Sequence, residues 1–142
     1  MSTTTQTARY VASATASGRE GRAVTSDGRL DVTLAAPREL GGSGEGTNPE
    51  QLFAAGYAAC FASALGVVAR KRRVEDFDVA VTADVSLSGS SSTGFGLGVV
   101  LHVELPEGLD PELGRELVDT AHQVCPYSNA TRGNVPVEIL VD

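Results

Sequence analysis

The chain has 142 residues, of which 42% are hydrophobic and 20% are charged, and its formal net charge is -7 at pH 7. This length accommodates one domain with one sizeable core, predicted to span residues 1–142. The negative charge and an aromatic content of 5% disfavour nucleic acid as a partner, because phosphates bind clustered Lys and Arg, and unpaired bases stack on aromatic rings.

The N-terminal segment bears on the compartment of the protein. Residues 1–8 are predicted to form a flexible tail, and residues 1–7 have neither the basic nor the apolar region of a secretory signal. We therefore expect a cytoplasmic protein. In that reducing compartment the chain's two cysteines are more commonly catalytic, redox-active or metal-binding than a permanent disulfide.

The N-terminal third is predicted to be a β-meander. Residues 10–15 alternate partly between apolar and polar, residues 30–34 alternate cleanly, and Ser26-Asp27-Gly28 is typical of a turn. A charged hairpin loop bracketed by glycines, residues 18–22, lies between the first two strands. A glycine-rich loop, residues 41–46, precedes the first helix.

A helix start is encoded immediately after that loop. Asn48 suits the N-cap, Pro49 suits the first helical position, and Gln51 completes the spacing of a capping box. The helix is predicted to continue to about Arg72, which places Cys60 in its middle. One face is expected to carry the side chains of Phe53, Tyr57, Cys60, Ala64, Val67 and Val68.

The same helix approaches the length of a membrane span. Residues 52–69 contain no charged side chain, but nine of these 18 residues are Ala or Gly and add little apolar area. The flanking segments have the pattern of strands in a soluble sheet. A buried central helix is therefore expected, with no membrane as a partner.

The second half of the chain is predicted to contain strands at residues 77–87 and 98–105, joined by a long Ser/Gly hairpin, and a last strand at residues 135–141. Asp110-Pro111 starts a second helix that ends near Cys125-Pro126. Its inward side chains are expected to be Leu113, Leu117, Val118 and Ala121. The element order indicates an α+β fold.

Cys60 and Cys125 are 65 residues apart, and each lies in or at the end of a predicted helix. Their spacing leaves three interpretations open: two buried cysteines that act as small hydrophobes, a zinc site completed by His122, or a redox pair. The redox interpretation needs a thiolate, and a thiol in mid-helix has no free backbone N–H groups to stabilise one. A cation must supply that stabilisation, and Arg suits an apolar site better than Lys.

Three segments resemble the organic hydroperoxide resistance (Ohr) proteins of the Ohr/OsmC family. Residues 47–61 resemble the signature around the first cysteine, residues 125–134 resemble the second signature, and residues 18–21 resemble the loop that supplies an arginine. The resemblance extends from Tyr10 to Val141. Tyr127 after Cys-Pro, together with Gly56-Tyr57, favours the Ohr branch over the osmotically inducible branch.

The resemblance implies a fold and a set of roles. The fold would be α+β, with antiparallel sheets packed on two central helices in an intertwined homodimer whose active sites lie at the subunit interface. Cys60 would be the peroxidatic cysteine, Cys125 the resolving cysteine, Arg19 the thiolate-activating arginine and Glu50 the carboxylate that orients it. About 15 Å of helix separates Glu50 from Cys60, so Arg19 must bridge them, the helix must bend, or a second subunit must contribute.

The implied reaction is thiol-dependent reduction of organic hydroperoxides, such as alkyl or fatty-acid hydroperoxides, through a Cys60 sulfenic acid and a Cys60–Cys125 disulfide. A lipoylated protein or another dithiol would be the reductant, and no metal or other cofactor would be needed. The candidates for an apolar substrate pocket near Cys60 are Phe53, Phe61, Leu97 and Leu101. Alternatives are an osmotically inducible (OsmC-type) peroxidase, a non-enzymatic thiol redox sensor and a zinc-binding interaction protein.

Overall fold

The computed structural model describes residues 7–142. It divides into two compact units, one ending at Pro49 and the other comprising residues 50–142. The predicted tail lies outside the described residues except for Thr7 and Ala8. The single domain expected from the chain length stays a prediction.

The N-terminal unit contains a three-stranded antiparallel sheet of strands β1 (Ala14–Ala16), β2 (Gly21–Thr25) and β3 (Asp31–Leu34), in that order. The predicted meander is therefore confirmed, although its first strand is shorter than expected. The β2–β3 turn falls at residues 26–28, where Gly28 has a φ of 74°. A short 3-10 helix, Arg38–Leu40, was not predicted.

The segment after the 3-10 helix returns alongside β3. The Thr47 amide donates to the Thr33 carbonyl and the Ala35 amide donates to the Thr47 carbonyl, each at 2.9 Å. A Cβ on Gly46 would lie 2.7 Å from the Thr33 carbonyl oxygen, so only glycine permits this approach. This pairing holds the chain immediately before the first α-helix.

The second unit contains all of helix α1 (Pro49–Lys71) except its first residue, and the helix begins where the Asn48-Pro49 pair predicted. Its buried side chains include Tyr57, Phe61, Leu65 and Val68. The prediction that one face of this helix packs inward is confirmed for Tyr57 and Val68, whereas Cys60 on the same face is only half-buried. Length and composition would allow α1 to cross a membrane, but its buried residues belong to the core of this unit, as expected of a central helix.

A three-stranded sheet follows, with strands β4 (Ala80–Ser90), β5 (Gly94–Glu104) and β6 (Val137–Val141) in that order. The predicted long hairpin loop was wrong, because the strands pair continuously up to Ser90 and Gly94 and leave only three residues to turn. The expectation of purely antiparallel sheets was also wrong here, since β6 runs parallel to β5. A parallel pair needs a crossover, and two helices between the strands provide it.

Those two helices are α2 (Pro111–Val124) and α3 (Pro126–Thr131). Asp110 caps α2 by accepting a hydrogen bond from the Leu113 amide at 3.1 Å. Cys125 has extended backbone angles between the helices, as the following Pro126 dictates, and Pro126 then occupies the start of α3. Helix α3 was not predicted.

One hydrophobic core joins α1, α2 and the β4–β5–β6 sheet. Its fully buried members come from all three, including Phe61 and Leu65 of α1, Leu101 of β5 and Leu117 of α2. Cys125 belongs to this core, and Cys60 packs against it. The expectation of two central helices is thus confirmed, and both cysteines lie where these helices meet.

Candidate active site

The two cysteine thiols form the centre of the candidate site. Cys60 lies in the middle of α1 and is half-buried, whereas Cys125 lies between α2 and α3 and is fully buried. Both are free thiols, and they lie close together: Cys60 lines one cavity with Val124 and Pro126, the neighbours of Cys125, and Cys125 influences the pKa of Cys60. The structure therefore brings together the two predicted cysteines from positions 65 residues apart.

The surroundings of Cys60 favour its neutral form. Burial raises the pKa of the Cys60 thiol above its ordinary value of 9.0, and the neighbouring Cys125 raises it further. A hydrogen bond from the Tyr127 backbone amide acts in the opposite direction, with a smaller effect than burial. Neither of these two neighbours carries a positive charge, so a reactive thiolate still requires a cation.

An apolar cavity of about 390 Å³ opens beside Cys60. Its walls come from α1 and from the residues on either side of Cys125, and they comprise Ala59, Ser63, Ala64, Val67, Val124 and Pro126. Two of the predicted pocket residues were wrong, because Phe61 and Leu101 are fully buried in the core. Leu97 lines a different depression, formed by β4, β5 and the segment before β6.

An aromatic cluster lies one turn before Cys60. The rings of Phe53 and Tyr57 each lie within 6 Å of the Tyr127 ring, at 5.8 and 5.6 Å between centroids. A Cβ on Gly56 would lie 2.6 Å from the Tyr127 hydroxyl oxygen. Gly56 therefore allows Tyr127 to lie against α1, which is a physical reason for the Gly56-Tyr57 pair.

A buried polar network connects the three helices around the cysteines. The Ser128 hydroxyl lies 2.8 Å from the Tyr57 hydroxyl and 2.8 Å from Nδ1 of His122. Thr131 lies 3.3 Å from the Tyr57 hydroxyl oxygen. Burial and the nearby Arg132 lower the pKa of His122 below its ordinary value of 6.5, against a smaller opposing effect of Asp119.

Sequence reasoning missed this network. The sequence suggests only a zinc-ligand role for His122 and indicates no role for Ser128 or Thr131, although both belong to the second signature. Pro126 is a local signal for helix α3, because proline is common at the first position of a helix, but it does not indicate the network. Within residues 7–142, no three His, Cys, Asp or Glu side chains are grouped so that they could hold a metal ion.

Arg19 and Glu50 lie in separate units. Arg19 is exposed on the loop between β1 and β2, and that loop is bracketed by Gly18 and Gly21, which both have positive φ. Glu50 lies in the first turn of α1, and uninterrupted helix separates it from Cys60 by about 15 Å. Their roles at the thiol stay predictions.

Comparison with known proteins gives one consistent result. The family model for OsmC-like protein matches residues 42–140. An organic hydroperoxide resistance protein of Xanthomonas axonopodis pv. citri (strain 306) is 54% identical over 133 residues, which are 92% of each chain. The relative OhrB of Bacillus subtilis (strain 168) is 48% identical over 123 residues, covering 86% of this chain and 89% of the relative.

Solved structures give the same result. The structure of Bacillus subtilis OhrB is 45% identical, has a TM-score of 0.84 and is matched over 95% of this chain and 100% of that one. An organic hydroperoxide resistance protein of Legionella pneumophila is 51% identical, with a TM-score of 0.90, and the match covers 96% of this chain and 99% of that one.

Proposed function

The chain belongs to the Ohr/OsmC family, in its organic hydroperoxide resistance branch, and from this premise we propose that it is a thiol peroxidase for organic hydroperoxides. The observation that carries the proposal is the proximity of the Cys60 and Cys125 thiols beside an apolar cavity. The names of the relatives support a role in resistance to organic hydroperoxides.

In the first step, the Cys60 thiolate attacks one oxygen of the hydroperoxide. The O–O bond breaks, the alkoxide takes up a proton and leaves as an alcohol, and Cys60 is oxidised to the sulfenic acid. Because burial and Cys125 both disfavour the thiolate, the step needs a positive charge at the sulfur. We assign this charge to Arg19, oriented by Glu50.

In the second step, the Cys125 thiolate attacks the Cys60 sulfur. The S–O bond breaks, the S–S bond forms, and the hydroxide leaves as water after protonation. The proximity of the two thiols in the reduced state supports this step, because the Cys125 sulfur lies near its target. An external dithiol, which we propose to be a lipoylated protein, then reduces the disulfide in the cytoplasm.

The cavity favours an organic over an inorganic peroxide. Its aliphatic wall residues, such as Val67, Val124 and Pro126, gain from contact with an alkyl or fatty-acyl chain, and hydrogen peroxide offers no such contact.

We further propose a homodimer. Glu50 lies about 15 Å along α1 from Cys60, so a complete site needs a bridging residue, a bent helix or groups from a second subunit.

Steady-state peroxide consumption with a dihydrolipoyl reductant tests the proposal. Wild type is expected to consume tert-butyl hydroperoxide faster than hydrogen peroxide, and Cys60→Ser to consume neither. Equal rates with both peroxides would favour an OsmC-type peroxidase, and wild type without turnover would favour a thiol redox sensor. Full activity in Cys60→Ser would overturn the peroxidase proposal. Bound zinc near one ion per chain would indicate a metal-binding protein instead.

A further inference from the structure

One hydroxyl group connects the three helices that carry the cysteines. Tyr57 on α1 lies three residues before Cys60. His122 on α2 lies three residues before Cys125, and Ser128 on α3 lies three residues after it. The Ser128 Oγ is 2.8 Å from the Tyr57 hydroxyl and 2.8 Å from the His122 Nδ1. Ser128 on α3 is thus hydrogen-bonded to α1 and to α2, and each of these hydrogen-bonding residues lies about one turn from a cysteine.

The hydroxyl groups of the network are buried, His122 is half-buried, and the buried groups are fully satisfied. Ser128 and Tyr57 are both 0% exposed, and no buried side-chain nitrogen or oxygen within residues 7–142 lacks a hydrogen-bond partner. A serine hydroxyl has one proton, so Ser128 donates to one of its two partners and accepts from the other. With neutral His122 both directions are possible, because Thr131 donates to the Ser128 carbonyl at 3.2 Å and can accept from Tyr57.

Burial of these polar groups costs desolvation free energy, so the network should provide something that apolar packing at the same positions does not. Apolar side chains at positions 57 and 128 would fill the same core without the desolvation of a phenol and a hydroxyl. Hydrogen bonds add what apolar packing lacks, a defined direction and distance between the helices. The direction matters here because helix α3 has only six residues and starts at Pro126, directly after Cys125.

We propose that Ser128, Tyr57 and His122 are positioning residues for the resolving step, which hold the Cys125 sulfur against Cys60. The inference rests on the proposed peroxidase function. None of the three side chains touches the peroxide in this scheme, and none takes part in the oxidation of Cys60. Their contribution is to the second step, in which the Cys125 thiolate displaces hydroxide from the Cys60 sulfenic acid to give the disulfide and, after protonation, water.

The expected effect is large because intramolecular displacement depends steeply on geometry. A misplacement of about 1 Å in such a reaction can lower the rate by about 100-fold. Removal of the Ser128 hydroxyl breaks one bond from α3 to Tyr57 on α1 and the bond to His122 on α2, and leaves the longer Tyr57–Thr131 bond in place. Removal of the Tyr57 hydroxyl breaks the bonds from α3 to α1, those of Ser128 and Thr131, and leaves the bond between Ser128 and His122 on α2 in place. Tyr57→Phe should therefore have the smaller effect.

The test measures how the Cys60 sulfenic acid divides between reaction with a trapping reagent and disulfide formation with Cys125. Reduced wild type, Ser128→Ala and Tyr57→Phe are each mixed with one equivalent of tert-butyl hydroperoxide and a sulfenic-acid-trapping dione. Intact mass then gives the fractions of trapped Cys60 and of disulfide. Asn129→Ala is the matched control, because Asn129 lies next to Ser128 on α3, is exposed and bonds to Arg132 at 2.8 Å outside the buried network.

We expect equal rates of Cys60 oxidation in all four proteins, with the ratio of trapped sulfenic acid to disulfide raised about tenfold or more in Ser128→Ala, less in Tyr57→Phe and not at all in Asn129→Ala. A merely structural network would leave this ratio unchanged in the folded variants, and that result would overturn the inference. If Ser128→Ala does not fold, Tyr57→Phe decides alone. If wild type does not form a sulfenic acid at all, the proposed function fails as well.

Discussion

The packing of Tyr127 on Gly56 gives a prediction that compares two glycines of one helix. A Cβ at position 56 would lie 2.6, 3.1 and 3.2 Å from the Oη, Cζ and Cε2 atoms of Tyr127. Alanine in place of glycine stabilises a helix by about 1 kcal/mol. Displacement of Tyr127 would cost its contacts with two rings, about 1–3 kcal/mol together. Gly56→Ala should therefore destabilise the protein by about 1 kcal/mol.

Gly66→Ala is the matched control on the same helix. Its Cβ would meet only Arg70, at 3.7 Å, which is ordinary van der Waals contact, so this variant should gain about 1 kcal/mol of stability. Urea denaturation of the reduced proteins measures both changes. In a Tyr127→Ala background, Gly56→Ala should become stabilising as well. Equal stabilisation by both glycine replacements in the wild-type background would refute the account of the aromatic cluster.

Three further predictions concern pH, a helix cap and the activating charge. Because the folded-state pKa of His122 lies below its ordinary value of 6.5, the unfolded chain binds the proton first, and stability falls as the pH drops below about 6.5. Denaturation midpoints across that range should show this fall reduced in His122→Gln, and an identical pH dependence would contradict the assignment. Asp110→Ala should lower the free energy of unfolding by about 1 kcal/mol, measured by urea denaturation, because it removes the acceptor for the Leu113 amide. An unchanged free energy of unfolding would mean that water replaces the cap. Arg19→Ala should raise the pKa of the Cys60 thiol, measured by thiolate absorbance in a Cys125→Ser background, and an unchanged titration would exclude Arg19 as the activating cation.

Local signals in the sequence predicted the helices that carry the cysteines. Asn48-Pro49 and Asp110-Pro111 mark helix starts whose geometry depends on neighbouring residues alone, and α1 and α2 begin there. Apolar periodicity then predicted Leu117, Val118 and Ala121 as buried residues. These elements could be predicted because their signals lie within a few residues of the structure they determine.

The missed features depend on distant parts of the chain. The Ser/Gly composition of residues 88–90 is typical of a loop, but pairing with β5 extends the strand through them. The parallel direction of β6 depends on the crossover through α2 and α3, which no local pattern encodes. Likewise, Ser128 acquires its role from Tyr57, 71 residues away, so its own neighbours gave no sign of the buried network.

The central claim is that Cys60 and Cys125 form one redox pair. Its most direct test is a thiol count and peptide map of the reduced protein after one equivalent of an organic hydroperoxide, without added reductant. Both thiols should be lost, one disulfide should join Cys60 to Cys125 within the chain, and Cys60→Ser should keep its remaining thiol. Two intact thiols in the treated wild type, or oxidation of Cys125 in Cys60→Ser at the wild-type rate, would contradict it.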